Sequence, residues 1–413
     1  MNSRLIVFVF FLVLGGIGGA GAGIGGNGLL SHSTAVQETS ETQTMSVMTA
    51  ENTSDYLAPP AGAIDRSAQE TVSINVGAAV DGQAGGIRGS FYQETLERKY
   101  ENASTTQERR TLVQNEMPRV LARIDQLEQR HDTALEEYAA GDRRAVDLYR
   151  TLVVVHQEAS ELEPVVVRLD EIATDEDMSA EDAQLSTATA RVTALHGPVR
   201  EAMKQSLEAD STHRVHVKSA GRNVVLATIS DTNGDSVYVR EAYAPDASTT
   251  QPDQYNGNLS AALSRFQQVY PWADANSQQL AVTPTGRGAT RAYQTEVTHG
   301  HGTLETYLDA GAGQIFYEVQ RVSPGALPAT TTNTTDSTAG LRISVTTTRV
   351  GWPLSIMVID TTTGEPVAAD ITLNGDQLGS TDGDQLWTVQ PRRTATINAT
   401  HDGTTLTVTS SAP

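Results

Sequence analysis

The sequence predicts a multi-domain protein: an antiparallel helical bundle, then a small α+β domain, then a C-terminal all-β sandwich. Three observations lead there. Apolar residues recur at heptad spacing from Val113 to Tyr138, the period drops to two after His213, and from Leu341 short alternating runs are separated by Thr-Gly, Asn-Gly and Asp-Gly turns. The predicted segments are residues 1–22, 23–86, 87–209, 210–325, 326–339 and 340–413.

Residues 1–22 read as a secretory signal. Met1 and Arg4 precede the apolar run Leu5 to Leu14, and Ala20-Gly21-Ala22 supplies the small residues for cleavage after Ala22. An uncleaved anchor is the competing reading, because Leu5 to Ile24 is just long enough to span a bilayer. Seven glycines between Gly15 and Gly25 weaken that helix. The chain is therefore expected outside the cytoplasm, secreted or attached to the envelope, and in contact with a membrane only through an uncleaved first segment if at all. Residues 23–86 are rich in Ser, Thr, Gln and Glu, carry Pro59-Pro60 and read as a disordered linker. Within it Thr71 to Val76 alternates like a short strand.

Charge and cysteine content exclude several functions. Fifty acidic residues oppose 29 basic ones, for a net charge of −21, and three lysines stand beside 26 arginines. Nucleic acid is a disfavoured partner for such a chain. The absence of Cys removes disulfides, thiol nucleophiles and thiolate metal sites. An acid-rich, Lys-poor composition resembles that of proteins from extreme halophiles, whose brine shortens the Debye length to about 3 Å. Five Asn-x-Ser/Thr sequons, at Asn52, Asn102, Asn258, Asn333 and Asn398, are candidate glycosylation sites that fit export.

The helical segment starts near Ile87. A short helix through Phe91, Tyr92 and Leu96 breaks at Asn102, and Thr105-x-x-Glu108 forms a capping box for the next. That helix carries Val113, Met117, Val120, Ile124, Leu127, His131, Ala134 and Tyr138 along one seam, is kinked near Pro118 and ends at Gly141. Asp142 is read as the cap of a second helix, broken at Pro164, and Ser179 as the cap of a third, interrupted at Gly197-Pro198. The short link at Gly141 makes the first two long helices antiparallel.

From His213 two strands flank Asn233-Gly234, the strongest short hairpin signal. A helix with Leu259, Ala262, Leu263, Phe266, Val269 and Tyr270 on one face follows Asn258, and four further strands run to Val322. The helix ending in Tyr270-Pro271, the hairpin Arg291-Ala292-Tyr293-Gln294-Thr295-Glu296-Val297 and the run Tyr307-Leu308-Asp309-Ala310-Gly311-Ala312-Gly313 resemble a PepSY module. The resemblance implies an extracytoplasmic module that binds or inhibits a partner protein without catalysis. Beyond a Thr-rich linker, Asp360 to Val367, Asn374-Gly375 and Thr381-Asp382-Gly383 resemble the carboxypeptidase-regulatory-like family, with Asp384-Gln385-Leu386-Trp387 replacing its usual Gly-x-Phe. That resemblance implies a non-catalytic appendage. The whole order resembles a group of exported haloarchaeal proteins with no established activity.

Candidate chemistry is sparse. Gly16 to Gly21 has dinucleotide-fingerprint spacing without strand-turn-helix context, and no cofactor is implied. Asp231, Asn233 and Asp235 match the start of a Ca²⁺ loop, but Ser236 stands where Gly is needed and Ala242 where Glu is needed. His299 and His301 share one side of an extended chain and could hold a metal with Glu305, although Gly300 and Gly302 place them in a turn. His131 and His156 fall on apolar helix faces about five residues out of register, so they are expected as core or rim residues. The acidic run Asp175 to Asp182 complements a helix amino end. The expectation is an exported, non-catalytic protein-binding or envelope-associated module, with Tyr293, Tyr307 and Asp309 as binding residues and an unidentified extracytoplasmic protein as partner. A secreted metal-dependent hydrolase and a purely structural cell-surface stalk are the alternatives.

Overall fold

The structure is a computed structural model that describes residues 45–72, 91–208, 213–232, 234–249, 251–285, 291–328, 331–334 and 340–410. The predicted signal and the Gly-rich tract lie outside them. The first described stretch holds β1 (Ser46–Met48), β2 (Tyr56–Ala58) and β3 (Arg66–Val72). The helical region follows as α1 (residues 91–102), α2 (Thr106–Ala140), α3 (Ala145–Asp175), α4 (Ser179–Ala194) and α5 (Pro198–Glu208). Next come β4 (His213–Ala220), β5 (Asn223–Thr232), β6 (Asp235–Tyr243), α6 (Leu259–Val269), α7 (Pro271–Ala275), β7 (Ser277–Thr285), β8 (Ala292–His299), β9 (Gly302–Asp309) and β10 (Ile315–Val322). The C-terminal strands are β11 (Thr331–Thr334), β12 (Leu341–Thr347), β13 (Pro353–Asp360), β14 (Asp370–Leu373), β15 (Asp376–Ser380), β16 (Leu386–Val389), β17 (Ala395–His401) and β18 (Thr404–Ser410).

Local chemistry sets the helix ends. Thr105 accepts from the Glu108 amide while the Glu108 carboxylate accepts from the Thr105 amide, which closes the predicted capping box. Gly141 ends α2 with φ 91°, a left-handed value that favours glycine. The caps of α3 and α4 differ from expectation. Arg144 rather than Asp142 precedes α3, Met178 rather than Ser179 precedes α4, and neither makes a side-chain cap bond. Helix α3 runs through Pro164 without ending, because Leu162, Val165, Val166 and Leu169 on both sides of it are buried against neighbouring helices. Tertiary packing outweighs one lost backbone bond.

Eight strands form one antiparallel sheet in the order β3-β4-β5-β6-β10-β9-β8-β7. Neighbours β3 and β4 are consecutive in space yet enclose the entire helical region in sequence. The bundle is thus an insertion between two paired strands. It packs on one sheet face: Tyr149 of α3 donates to the Val215 carbonyl, Tyr317 of β10 donates to the His196 carbonyl, and His131 of α2 lies edge-on to Tyr243. One continuous apolar core runs from Leu112 through Leu169 and Met203 to Leu226, Tyr243 and Val319. Residues 87–209 and 210–325, expected as successive segments, thus share one core. A polar edge strand concealed the connection: in β3 only Val72 is buried, so β3 has no apolar alternation to read. The same finding corrects the linker assigned to residues 23–86, since 45–72 supplies three strands.

The C-terminal region is a sandwich of two four-stranded sheets, β11-β12-β13-β16 and β15-β14-β17-β18, closed on Ile343, Val345, Ile356, Ile371, Ile397 and Val408. It begins earlier than expected. β11 lies inside the predicted linker 326–339 and pairs with β12 from Thr331↔Thr347 to Thr334↔Ser344.

The α4–α5 joint supplies a test of the shared core. A Cβ on Gly197 would fall on the Glu241 carboxylate and the Tyr317 hydroxyl of the sheet. Gly197→Ala is expected to lower stability by about 1–3 kcal/mol through overpacking, read as a lower denaturant midpoint, while Gly62→Ala, with nothing within 4 Å, stays neutral.

Candidate functional site

The outer sheet face, opposite the bundle, gathers four parts of the chain on a buried ion pair. Arg240 of β6 is 3% and Glu318 of β10 is 0% exposed, and Arg240 donates to Glu318 Oε1 at 2.5 Å. Glu318 Oε2 accepts from the Leu57 amide and from the Tyr270 hydroxyl, each at 2.6 Å. Gln320 donates to Glu318 Oε1 at 3.1 Å and to the Asp55 carbonyl at 3.0 Å, and Arg240 also donates to the Leu57 carbonyl. Burial pushes the Glu318 carboxyl up. The guanidinium and the donors on its two oxygens oppose that shift and favour the charged form.

This arrangement reads main chain. The sheet side chains satisfy both the N–H and the C=O of Leu57, as a peptide-recognition surface would. Tyr56 stands edge-on to Trp352 with ring centroids 5.4 Å apart and lies under the guanidinium of Arg240, while Trp352 stacks on Tyr238 at 5.6 Å. Tyr238 donates to the Gly351 carbonyl at 2.6 Å. The strap formed by residues 45–58, the sheet, α6–α7 and the C-terminal sandwich are thereby joined at one place.

The expected binding residues do not form one surface. Tyr293 and Tyr307 sit on adjacent strands but on opposite sheet faces, because Tyr293 pairs with Leu308 and Tyr307 with Gln294. Tyr293 is fully buried against α6 and donates to Asp253 at 2.8 Å, whereas Tyr307 faces the bundle and donates to Glu305 at 2.7 Å. Asp309 accepts from Ser248, from the amide and hydroxyl of Thr249 and from the Ala312 amide, so its carboxylate ties two loops together.

His299 and His301 do come together, with ring centroids 5.9 Å apart, and both pack on Trp272. His299 Nδ1 accepts from the His301 amide at 3.2 Å, which puts the ring proton on Nε2 and leaves no lone pair there for a metal. Glu305, the carboxylate weighed as a third ligand, projects from the opposite face. Among the described residues no group of three or more His, Cys, Asp or Glu is placed to hold a metal. Asp231 pairs with Ser236 and Thr232 with Asp235 across the β5–β6 hairpin, with Ser236 donating to Asp231. Asn233 lies outside the described residues.

On the bundle side a second polar cluster braces the joint between α4 and α5. His156 Nδ1 accepts from the Gly197 amide at 3.3 Å, so Nε2 donates to Glu201 at 2.8 Å. Fully buried Arg200 faces Glu241, whose other oxygen accepts from the Val199 amide. The His156 bond holds the Glu201 carboxyl down to about 2. His131 donates from Nδ1 to Asp132, which Arg222 also engages. Among the sequons, Asn52, Asn102 and Asn258 are exposed. Asn102 donates to the Arg98 carbonyl, Asn258 caps α6, and Asn398 is engaged across strands by Thr372 and Thr407. Asn333 lies on β11 opposite Val345.

Sequence reasoning missed Arg240 and Glu318. The available signal was a charged residue beside aromatic and β-branched neighbours in a strand, as in Tyr238-Val239-Arg240 and Tyr317-Glu318-Val319. Residues 5–212, half of the chain, match a domain of unknown function, DUF7096. The chain belongs to the DUF7096 family. Residues 215–328 match a second family of unknown function, DUF7094, and residues 330–408 match an archaeal fibronectin-III type-like domain, which makes this an archaeal family. No curated protein and no solved structure matches the chain. The boundary between the DUF7096 and DUF7094 matches falls just before β4, so β3 of the first completes the sheet of the second.

Arg240→Met leaves the Glu318 charge buried without its partner and is expected to cost about 3–5 kcal/mol and to open residues 45–58 to limited proteolysis, with Arg240→Met/Glu318→Met recovering part of the loss. Burial holds His131, His156, His216 and His299 below their ordinary range, His299 down to about 4. The unfolded chain therefore takes up protons first, and stability falls as pH drops below about 6.5, by at most about 1.4 kcal/mol per pH unit for each histidine. His299→Gln should remove its share of that fall between pH 6.5 and 4 in urea titrations.

Proposed function

We propose that this chain is an extracytoplasmic, non-catalytic recognition and spacer protein of a halophilic archaeon, displayed at the cell envelope or released from it. The observation that carries the reading is the junction on the outer sheet face, where the strap, the sheet and the fibronectin-type domain contact one another. The side chains capable of chemistry support it: His156, Glu201, Glu241, Asp309 and Glu318 all brace joints between elements. Export is supported by the apolar run Leu5 to Leu14 and by exposed sequons, and a halophilic host by the charge of −21. Each of the three lysines is engaged, Lys99 by Glu116, Lys204 by Glu201 and Lys218 by the Val350 carbonyl. The helix and four strands of α6 to β10 fit the PepSY-like resemblance, and the sandwich fits either a fibronectin-type or a carboxypeptidase-regulatory-like appendage.

The Cys-free chain gives a direct test. With Ala122→Cys on the exposed side of α2, a membrane-impermeant maleimide should label intact cells in molar salt. Labelling only after lysis would contradict the compartment. The same tagged chain should retain a stoichiometric partner from envelope fractions, and recovery of the chain alone would reduce the function to that of a spacer.

A further inference from the structure

The eight-stranded sheet has two edges, β3 and β7, and they are built differently. β3 and its approach carry Asp65, Arg66 and Glu70, and the Arg66 guanidinium donates to the Tyr138 and Arg143 carbonyls of the bundle. Charges of this kind blunt an edge against further pairing. β7 has none: from Ala275 to Gly286 the sequence contains no Asp, Glu, Lys or Arg, although 19% of the whole chain is charged. Gln278, Gln279, Thr283 and Pro284 on this strand are exposed. Among the described residues, the main chain of residues 278–284 bonds to β8 alone.

Pro284 shows which groups face the free side. It pairs with Tyr293 of β8 yet has no N–H to give, which a ladder tolerates where the nitrogen faces away from its neighbour. Alternation turns the N–H and C=O of Leu280 and Val282 the same way, outward from β8. The side chains of Leu280 and Val282 share pleat parity with Pro284 and hence the sheet face of Tyr293, on which α6 packs, and they are half-buried against the main core. The edge thus offers main-chain donors and acceptors flanked by two apolar side chains, a combination that recognises another uncharged strand. A strongly charged peptide finds no counter-charge there.

We propose that β7 is the surface on which two copies of this chain join, antiparallel about a two-fold axis through Ala281. In that register Leu280 of each copy lies opposite Val282 of the other and exchanges both main-chain bonds with it. The apolar pair on the α6 face then continues across the seam. Ala281 meets Ala281 and Gln279 meets Thr283, so no charge approaches a like charge. A second copy is the occupant because the strand is self-complementary, and because a net charge of −21 sets most other faces of two copies against each other. The contact is isologous, so it closes as a dimer and joins the two sheets into one.

The absence of Cys permits a register-specific test. The full chain in molar potassium chloride should sediment at twice its chain mass at micromolar concentration. Directly opposed residues of a non-hydrogen-bonded pair have Cα atoms about 4.5 Å apart, within disulfide reach, so Ala281→Cys with an added mild oxidant should become a covalent dimer. Thr283→Cys lies four residues from its own counterpart, about 14 Å at 3.4 Å per residue, and should remain a single chain. Gln279→Cys/Thr283→Cys should cross-link again. None of these positions is fully buried, so each variant is expected to fold. A wild-type chain of single mass, or Ala281→Cys and Thr283→Cys cross-linking to the same extent, would overturn the proposal.

Discussion

The buried Arg240–Glu318 pair is the constraint on which the rest of the structure depends. Removing two charges from water carries a desolvation penalty of several kcal/mol per ion, which attraction offsets only when geometry and further hydrogen bonds are good. Here the further bonds come from elsewhere in the chain: the Leu57 amide and carbonyl, the Tyr270 hydroxyl and the Gln320 amide. The pair is therefore satisfied only when the strap and the α6–α7 segment are both in place. A polar contact of this kind adds less net stability than an apolar one, and more discrimination. A strap shifted by one residue would offer no amide where Glu318 requires one.

From that junction the architecture spreads in both directions. Toward the C-terminus, Tyr56, Trp352 and Tyr238 form an aromatic column that seats the fibronectin-type domain. Toward the bundle, the chain leaves the strap through β3, departs for five helices and returns as β4 beside the strand it left. The insertion explains why the first two matched regions share a core although each is recognised separately. Gly197 lies against the sheet, and the Glu241 carboxylate there accepts the Val199 amide, the first free amide of α5.

Much of the local structure was legible in the sequence. Thr105-x-x-Glu108, Gly141 and Asn233-Gly234 marked a helix start, a helix stop and a hairpin, because each depends on a residue's own backbone preference. The unread features were set by distant partners. β3 shows no alternation, because its outward side chains face the polar junction with the sandwich and not an apolar layer. Tyr293 and Tyr307 were both expected as binding residues. Pleat parity puts them on opposite faces. His299 and His301 were correctly paired in space, but the tautomer that decides what they can hold depends on a backbone bond invisible in composition.

Native-state hydrogen exchange at the Leu57 amide tests the central claim most directly. If the buried pair joins strap and sheet into one cooperative unit, Leu57 should exchange with the same opening free energy as the amides of β6 and β10. Exchange at Leu57 far ahead of those strands would show that the strap opens on its own and that the pair does not depend on it.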